Sequence, residues 1–216
     1  AALEAGINSY RLRDANPVLA EILGDSLKEV DRRLLQISLT LGAGDGRKWS
    51  DRDFSAEWMT ACMDRALHAS SLGWFDQALL DQPMHDELPQ SSLNALKALR
   101  ATDRVRLLGV AGDGEVMDAY VSTGAFDALL TPLGINADWK VRNRIRSARE
   151  QDMSVFAYDF YTDRRSGPRI APVLKKGLFG IGAQKRPPDS PQKDAFGFLY
   201  RTQNWTAEAI CLAYVL

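Results

Sequence analysis

The chain has 216 residues, 45% of them hydrophobic and 25% charged, with a formal net charge of −1. This length suits one α/β domain, and the composition is that of a globular protein. The near-zero charge argues against a chain built as a whole to bind nucleic acid or an acidic membrane, and no apolar run reaches transmembrane length. Cys62 and Cys211 share no motif spacing with each other or with a histidine, so we expect no metal, no disulfide and a reduced, cytoplasmic protein.

Apolar runs alternate with helical spacings along the chain. The first run predicts a strand over Ile7–Leu12, and the helix after it starts at Pro17 and carries Leu19, Ile22, Leu23 and Leu27 at helical spacing. The later strands are predicted at Leu34–Leu41, Phe75–Leu80, Val105–Ala111, Phe126–Leu130 and Met153–Tyr158. The later helices are predicted at Phe54–Ser70, Ser91–Leu99, Glu115–Ser122, Trp139–Glu150 and Trp205–Leu216, the last with an apolar stripe at Ala209, Leu212 and Leu216.

Strands that are apolar almost throughout, each followed by an amphipathic helix, are typical of a parallel sheet covered by helices. Six such units at a spacing of roughly 25–30 residues favour a (β/α)-barrel, since no Gly-rich fingerprint follows a strand as it does in dinucleotide-binding open sheets. The Gly112-Asp113-Gly114 turn is not such a motif. We expect it to turn the chain rather than to bind phosphate.

One segment stands apart by its charge. Residues 161–193, a basic loop insertion after the sixth strand, contain eight basic residues against two acidic ones. The loop follows a strand on the side where barrel enzymes keep their sites. Two interpretations stay open: a solvated loop, or a lid that binds an anion through Arg164, Arg165 and Arg169, which leave the strand first.

Several segments, in this order, resemble those of the aldo-keto reductase family. They are Ala2-Leu3-Glu4-Ala5-Gly6-Ile7-Asn8, Glu21-Ile22-Leu23-Gly24, Val105-Arg106-Leu107-Leu108-Gly109-Val110, Phe126-Asp127-Ala128-Leu129-Leu130-Thr131-Pro132, the helical residues Arg142, Ile145 and Ala148, and Val155-Phe156-Ala157-Tyr158. The resemblance implies an α/β fold, a (β/α)8 TIM barrel of the aldo-keto reductase type. We expect a single barrel domain over residues 1–216 that contains strands two to seven and lacks the first and eighth units.

The resemblance also implies where the catalytic residues of the family would lie. Members reduce a carbonyl with NADPH, and a Tyr donates the proton with help from Lys, His and Asp. The Asp position falls on Arg11, the Tyr on Asn16, the Lys on Thr40 and the His on Asp81. All four differ. An Asn amide has no proton to give at neutral pH, and Thr40 brings no positive charge to lower the pKa of a phenol.

The cofactor positions implied by the resemblance are altered as well. The family's Ser-Asn pair falls on Ala111 and Gly112, its Gln on Leu130, and its pyrophosphate grip on Asp159-Phe160-Tyr161. A carboxylate at Asp159 would repel phosphate. Tyr158 keeps an aromatic ring where many members stack one on the nicotinamide. NADP(H) is therefore the cofactor that the resemblance implies, and we expect weak binding at best.

These substitutions favour a reductase-like barrel that has lost carbonyl reduction, a pseudoenzyme that acts as a ligand-binding or regulatory protein for a small, anionic ligand. The alternative is an NADP(H)-dependent oxidoreductase of the family with a rebuilt active site. A third possibility is acid–base catalysis by Asp81 and Asp159. We also expect an ion pair between Arg11 and Asp81 across the barrel mouth, because alternate strands share a layer. Oligomeric state stays open.

Overall fold

The structure is a computed structural model that describes residues 2–42, 52–161 and 204–216. Its contacts divide the chain into two units. Unit 1 comprises Ala1–Pro132 and Asp138–Tyr158, and unit 2 comprises Leu133–Ala137 and Asp159–Leu216. The predicted single domain over 1–216 stays a prediction, since the basic loop beyond Tyr161 lies outside the described residues.

Six strands of unit 1 form one parallel sheet. They are β1 (Ser9–Leu12), β2 (Gln36–Leu41), β3 (Phe75–Asp81), β4 (Val105–Ala111), β5 (Ala128–Pro132) and β6 (Ser154–Tyr158). Each strand pairs with the next one in sequence, so the order is β1-β2-β3-β4-β5-β6. A doubly wound open sheet reverses its order at one point, whereas a barrel keeps it sequential. The order therefore agrees with the barrel topology predicted from the sequence.

Helices follow the strands. They are α1 (Pro17–Leu27), α2 (Ala56–Ser70), α3 (Gln90–Ala101), α4 (Glu115–Ser122), α5 (Trp139–Glu150) and α6 (Ala207–Val215). Their starts have local causes, because the side chains of Asn16, Ser55 and Asp138 each accept a hydrogen bond from a first-turn amide. No helix in the described ranges is long and apolar enough to cross a membrane.

The pairing register sorts the strand side chains onto two faces. One face packs into the main hydrophobic core together with residues of the helices, and its members include Leu39, Leu80, Val110 and Leu129. The opposite face, which we call the inner face, carries a separate apolar cluster. That cluster consists of Leu79, Ala111, Ala128 and Leu130, with Phe156 and Tyr158 against it. Alternate residues of a strand therefore serve two different environments.

Asp76 ties together the amino-terminal ends of β2 and β3. Its carboxylate accepts hydrogen bonds from Arg32 at 2.8 Å, from the Ile37 amide at 2.7 Å and from the Trp74 indole at 3.1 Å. The guanidinium groups of Arg32 and Arg106 lie 4.6 and 4.2 Å from the centre of the Trp74 ring. This end of a barrel serves stability rather than chemistry, so we read the cluster as a structural tie.

The apolar stripe predicted for the first helix is wrong in part. Leu19 and Ile22 are 49% and 56% exposed, whereas α1 buries Ala20, Gly24 and Leu27. The reason is a close approach of α1 to the end of α2, where a Cβ added to Gly24 would lie 2.0 Å from the backbone oxygen of Ser70. Gly24 therefore faces α2, and Leu19 and Ile22 of the predicted stripe are turned outward. Leu23 and Leu27, by contrast, pack into the main core.

The stripe predicted for the last helix is also wrong. Within unit 2, α6 buries Ala207 and Cys211, while Leu212 and Leu216 are 41% and 96% exposed. The buried pair packs against Ile135, Phe160, Tyr161 and Ile210. Helical periodicity located the helix but not the side that is covered, because more than one of its faces is apolar.

We expect Gly24→Ala to destabilise the protein by about 1–3 kcal/mol, because the new methyl group would collide with the backbone of α2. Gly73→Ala is the matched control, since a Cβ there meets nothing within 4 Å. Urea unfolding of both variants checks the prediction. An equal stability of the two variants would contradict the close approach.

Candidate functional site

The four positions that the resemblance assigns to catalytic residues are Arg11, Asn16, Thr40 and Asp81, and we call them the tetrad positions. Three of them share the inner face. Arg11 pairs laterally with Ser38, and Thr40 pairs with Leu79, which belongs to the inner cluster. Thr40 is two residues beyond Ser38, and Asp81 is two beyond Leu79, so all of these side chains point to one side of the sheet. The structure therefore brings Arg11, Thr40 and Asp81 to the same face.

The fourth position, Asn16, has a structural task. Its side-chain oxygen accepts hydrogen bonds from the amides of Val18 at 2.9 Å and Leu19 at 3.4 Å, which caps α1. Its own amide donates to the Asp14 carboxylate at 3.0 Å. A side chain held in this way to start a helix is not presented as a proton donor.

Arg11 is exposed, and no hydrogen bond or ion pair to the described residues engages its guanidinium. Burial and the positive charge of Arg13 lower the pKa of Arg11, while Asp81 and Tyr158 act in the opposite sense. Tyr158 lies on β6 and Arg11 on β1, so the first and last strands are within electrostatic reach across the inner face. The negative charge near Arg11 therefore does not offset the effects of burial and of Arg13 on its guanidinium.

The predicted ion pair of Arg11 with Asp81 is not formed as a direct contact. The two groups interact only through space, and neither is within ion-pair distance of the other. Arg11 lies level with Ser38 and Gln77, and Asp81 is four residues further along β3, about 13 Å at the usual rise of a strand. Burial raises the pKa of Asp81, against the charges of Arg11, Arg52 and Arg13.

Two buried polar side chains on the inner face each have one polar atom without a hydrogen-bond partner among the described residues. Thr40 is 4% exposed and Gln77 is 2% exposed. The two atoms are the Thr40 hydroxyl Oγ1 and the Gln77 amide Nε2. Buried polar groups are normally hydrogen-bonded, so each exception calls for an explanation. Gln77 was not predicted as a site residue, although a neutral amide inside an otherwise mostly apolar strand is a signal that could have identified it.

The cofactor positions on unit 1 are apolar or already engaged. Ala111 and Leu130 are buried in the inner cluster, and the ring of Tyr158 packs against it. Gly112 takes a backbone φ of +146°, and its amide donates to the Leu130 carbonyl at 2.8 Å. None of these side chains offers the hydrogen bonds to the carboxamide group of the nicotinamide that the resemblance implies.

The remaining predicted site residues lie elsewhere. Asp159 and Tyr161 belong to unit 2. Arg164, Arg165 and Arg169 lie outside the described residues, so their role in anion binding stays a prediction. In the described part of the chain, no group of three or more His, Cys, Asp or Glu residues could hold a metal ion.

Arg144 on α5 holds the turn that follows β4. Its side chain is 1% exposed and forms ion pairs with Asp113 and, at 2.5 Å, with Asp118. It also donates to the Gly114 carbonyl at 3.1 Å and to the Thr131 hydroxyl at 3.3 Å. Burial opposes the charge of Arg144, but the hydrogen bonds to the two carboxylates outweigh it and raise its pKa. This supports a structural role for the turn.

Comparison with solved structures finds aldo-keto reductases. A holo-form aldo-keto reductase from Bacillus halodurans matches with a TM-score of 0.62 and 18% identity over 73% of this chain and 54% of its own. A putative aldo-keto reductase from Pseudomonas aeruginosa matches with a TM-score of 0.62 and 21% identity over 73% and 62%. A glycerol dehydrogenase from Gluconobacter oxydans gives 0.61 and 19% over 81% and 60%.

These likenesses confirm the fold implied by the sequence resemblance, that of an aldo-keto reductase type barrel, of which six strands are present. The chain spans between about half and three-fifths of the length of the structures that it matches. No protein-family model and no curated protein matches the chain.

Replacing Asp81 with Asn should stabilise the protein at neutral pH. A carboxyl whose pKa is raised by folding favours the folded state fully below its ordinary value of 3.8, and this contribution is lost as the pH rises through the folded-state pKa. Asp81→Asn should therefore have the higher Tm at pH 7, with the difference shrinking towards pH 4. A lower Tm of the variant at pH 7 would show that the nearby arginines outweigh burial.

Arg144→Met should destabilise the protein by about 3 kcal/mol, near the low end for a broken buried ion pair, because Asp113 and Asp118 can still reach water. Arg146→Met, on the exposed side of the same helix, should change stability by less than about 0.5 kcal/mol. Denaturant unfolding distinguishes the two. Similar losses in both variants would refute the network's role.

Proposed function

We propose that this barrel is a pseudoenzyme that does not carry out carbonyl reduction and acts as a ligand-binding or regulatory protein. The observation that carries the proposal is the state of the four tetrad positions. Asn16 caps a helix, and Thr40 is buried and uncharged. Arg11 is a cation at the position of the family's Asp, and Asp81 is a carboxylic acid at the position of its His. No proton donor with a lowered pKa can be assembled from them.

The division of the inner face supports binding of a small polar molecule. Its β4–β6 half is apolar and includes Ala111, Leu130 and Tyr158. Its β1–β3 half carries charged and polar groups. Ligand sites commonly combine an apolar wall with a few polar groups that fix orientation. An anionic ligand fits the guanidinium of Arg11, which no described carboxylate contacts directly.

The second candidate is an NADP(H)-dependent oxidoreductase with a rebuilt site. It is favoured by Tyr158, whose ring lies on the inner face beside Leu130, at the position that the resemblance assigns to nicotinamide stacking. Against it stand the apolar side chains at Ala111 and Leu130, which cannot replace the amide and hydroxyl contacts.

We also propose a cytoplasmic location and partners other than nucleic acid or membrane. Cys62 and Cys211 are both buried and neither forms a disulfide within the described residues, which suits a reducing compartment. No metal is required for the proposed binding function.

Titration of the full chain with NADPH, followed through the fluorescence of its five tryptophans, tests the proposal. Each missing polar contact is worth about 1 kcal/mol, so we expect affinity at least tens-fold weaker than in active aldo-keto reductases. No NADPH should be consumed with aldehyde substrates. Tyr158→Leu is the companion variant, and it should leave the weak binding unchanged.

Low-micromolar binding of NADPH that Tyr158→Leu weakens, together with turnover of an aldehyde, would overturn the proposal in favour of the oxidoreductase. Binding without turnover would overturn the weak-affinity expectation but leave the loss of reduction standing.

A further inference from the structure

The inner face contains donors without acceptors. Thr40 Oγ1 and Gln77 Nε2 are shielded from solvent and have no partner in the described part of the chain. They lie on neighbouring strands, where Ser38 pairs with Gln77 and Thr40 is two residues further along β2. An unsatisfied buried polar group costs about 1–3 kcal/mol. Two of them on one face, among residues that a more apolar pair could replace, indicate that something outside the described residues accepts their hydrogen bonds.

Arg11 faces the same region. Arg11 is an exposed residue of β1 that pairs laterally with Ser38, on the same face as Thr40 and Gln77, and it interacts through space with Asp81 on β3 and Tyr158 on β6. It forms no hydrogen bond or ion pair to the described residues. A guanidinium offers only donors, in a planar fork that matches a carboxylate.

We propose that the inner face binds a small hydroxycarboxylate, with its carboxylate on Arg11 and the donors of Thr40 and Gln77, and its hydroxyl on Asp81. The inference rests on the proposed binding function and gives it a ligand class. Three donors, one of them cationic, require an acceptor with negative charge. The carboxylate of Asp81, further towards the carboxyl ends of the strands, accepts from a hydroxyl and repels a second anionic group.

The two buried donors can be removed by substitutions that should not destabilise the fold. Thr40→Val keeps the shape of the side chain, and Gln77→Leu replaces an unpartnered amide with an apolar group. Since each removes a buried group without a partner, both variants should be at least as stable as the parent when no ligand is present. Both should nevertheless lose ligand binding.

The probe is sodium glycerate, with glycerol and sodium chloride as references, in thermal unfolding of the full chain. A saturating concentration of glycerate should raise the Tm by about 3 °C or more, whereas neither reference should. Arg11→Met, Thr40→Val and Gln77→Leu should each abolish the rise.

Two control variants should keep the rise. Arg33→Met removes an equal charge from an exposed side chain at the other end of β2. Ser92→Ala removes a buried hydroxyl that is satisfied by the Phe54 carbonyl at 2.6 Å, so it should lower the Tm of the protein alone.

Several results would overturn the inference. They are an absent rise with glycerate, an equal rise with glycerol, or a rise that survives in Arg11→Met, Thr40→Val or Gln77→Leu. None of these results changes the outcome of the NADPH titration. A wrong ligand class can therefore be distinguished from a wrong functional proposal.

Discussion

The pairing register of the six parallel strands determines which of their side chains face the helices and which lie on the inner face. Side chains alternate between the two faces of a strand, so a slip of one residue would exchange the helix-covered face with the inner face. With the observed register, Leu39 and Leu80 enter the main core, while Thr40 and Leu79 point inward. The register is fixed at one end by Asp76, which binds the amide of Ile37 from the neighbouring strand.

The inner face departs from what stability alone would select. Barrel interiors are usually filled by branched apolar side chains, and the β4–β6 half follows that rule. The β1–β3 half instead buries Thr40 Oγ1 and Gln77 Nε2 without hydrogen-bond partners in the described ranges, on the face that also carries the cation Arg11. Sites that break local rules are where function resides, because function tolerates a cost that packing would remove. The fold thus separates its stabilising face from a face suited to ligand binding.

Much of the fold could be predicted because its signals are local. The bounds of Val105–Ala111, Glu115–Ser122 and Trp139–Glu150 agree with the prediction, since apolar runs and caps mark them. The covered face of α1 could not be predicted, because it depends on the approach of Gly24 to another helix. The altered tetrad positions were found by resemblance, whereas Gln77 was missed and the direct Arg11–Asp81 contact was wrong. Both depend on distances between strands, which one sequence does not contain.

The most direct measurement is the side-chain amide signal of Gln77 in a proton–nitrogen correlation spectrum, assigned by its loss in Gln77→Leu. If the inner face is a ligand-binding surface, sodium glycerate should shift this signal in a saturable manner, and sodium chloride should not. A Gln77 amide signal that stays unchanged at every glycerate concentration, in the folded protein, would contradict the account.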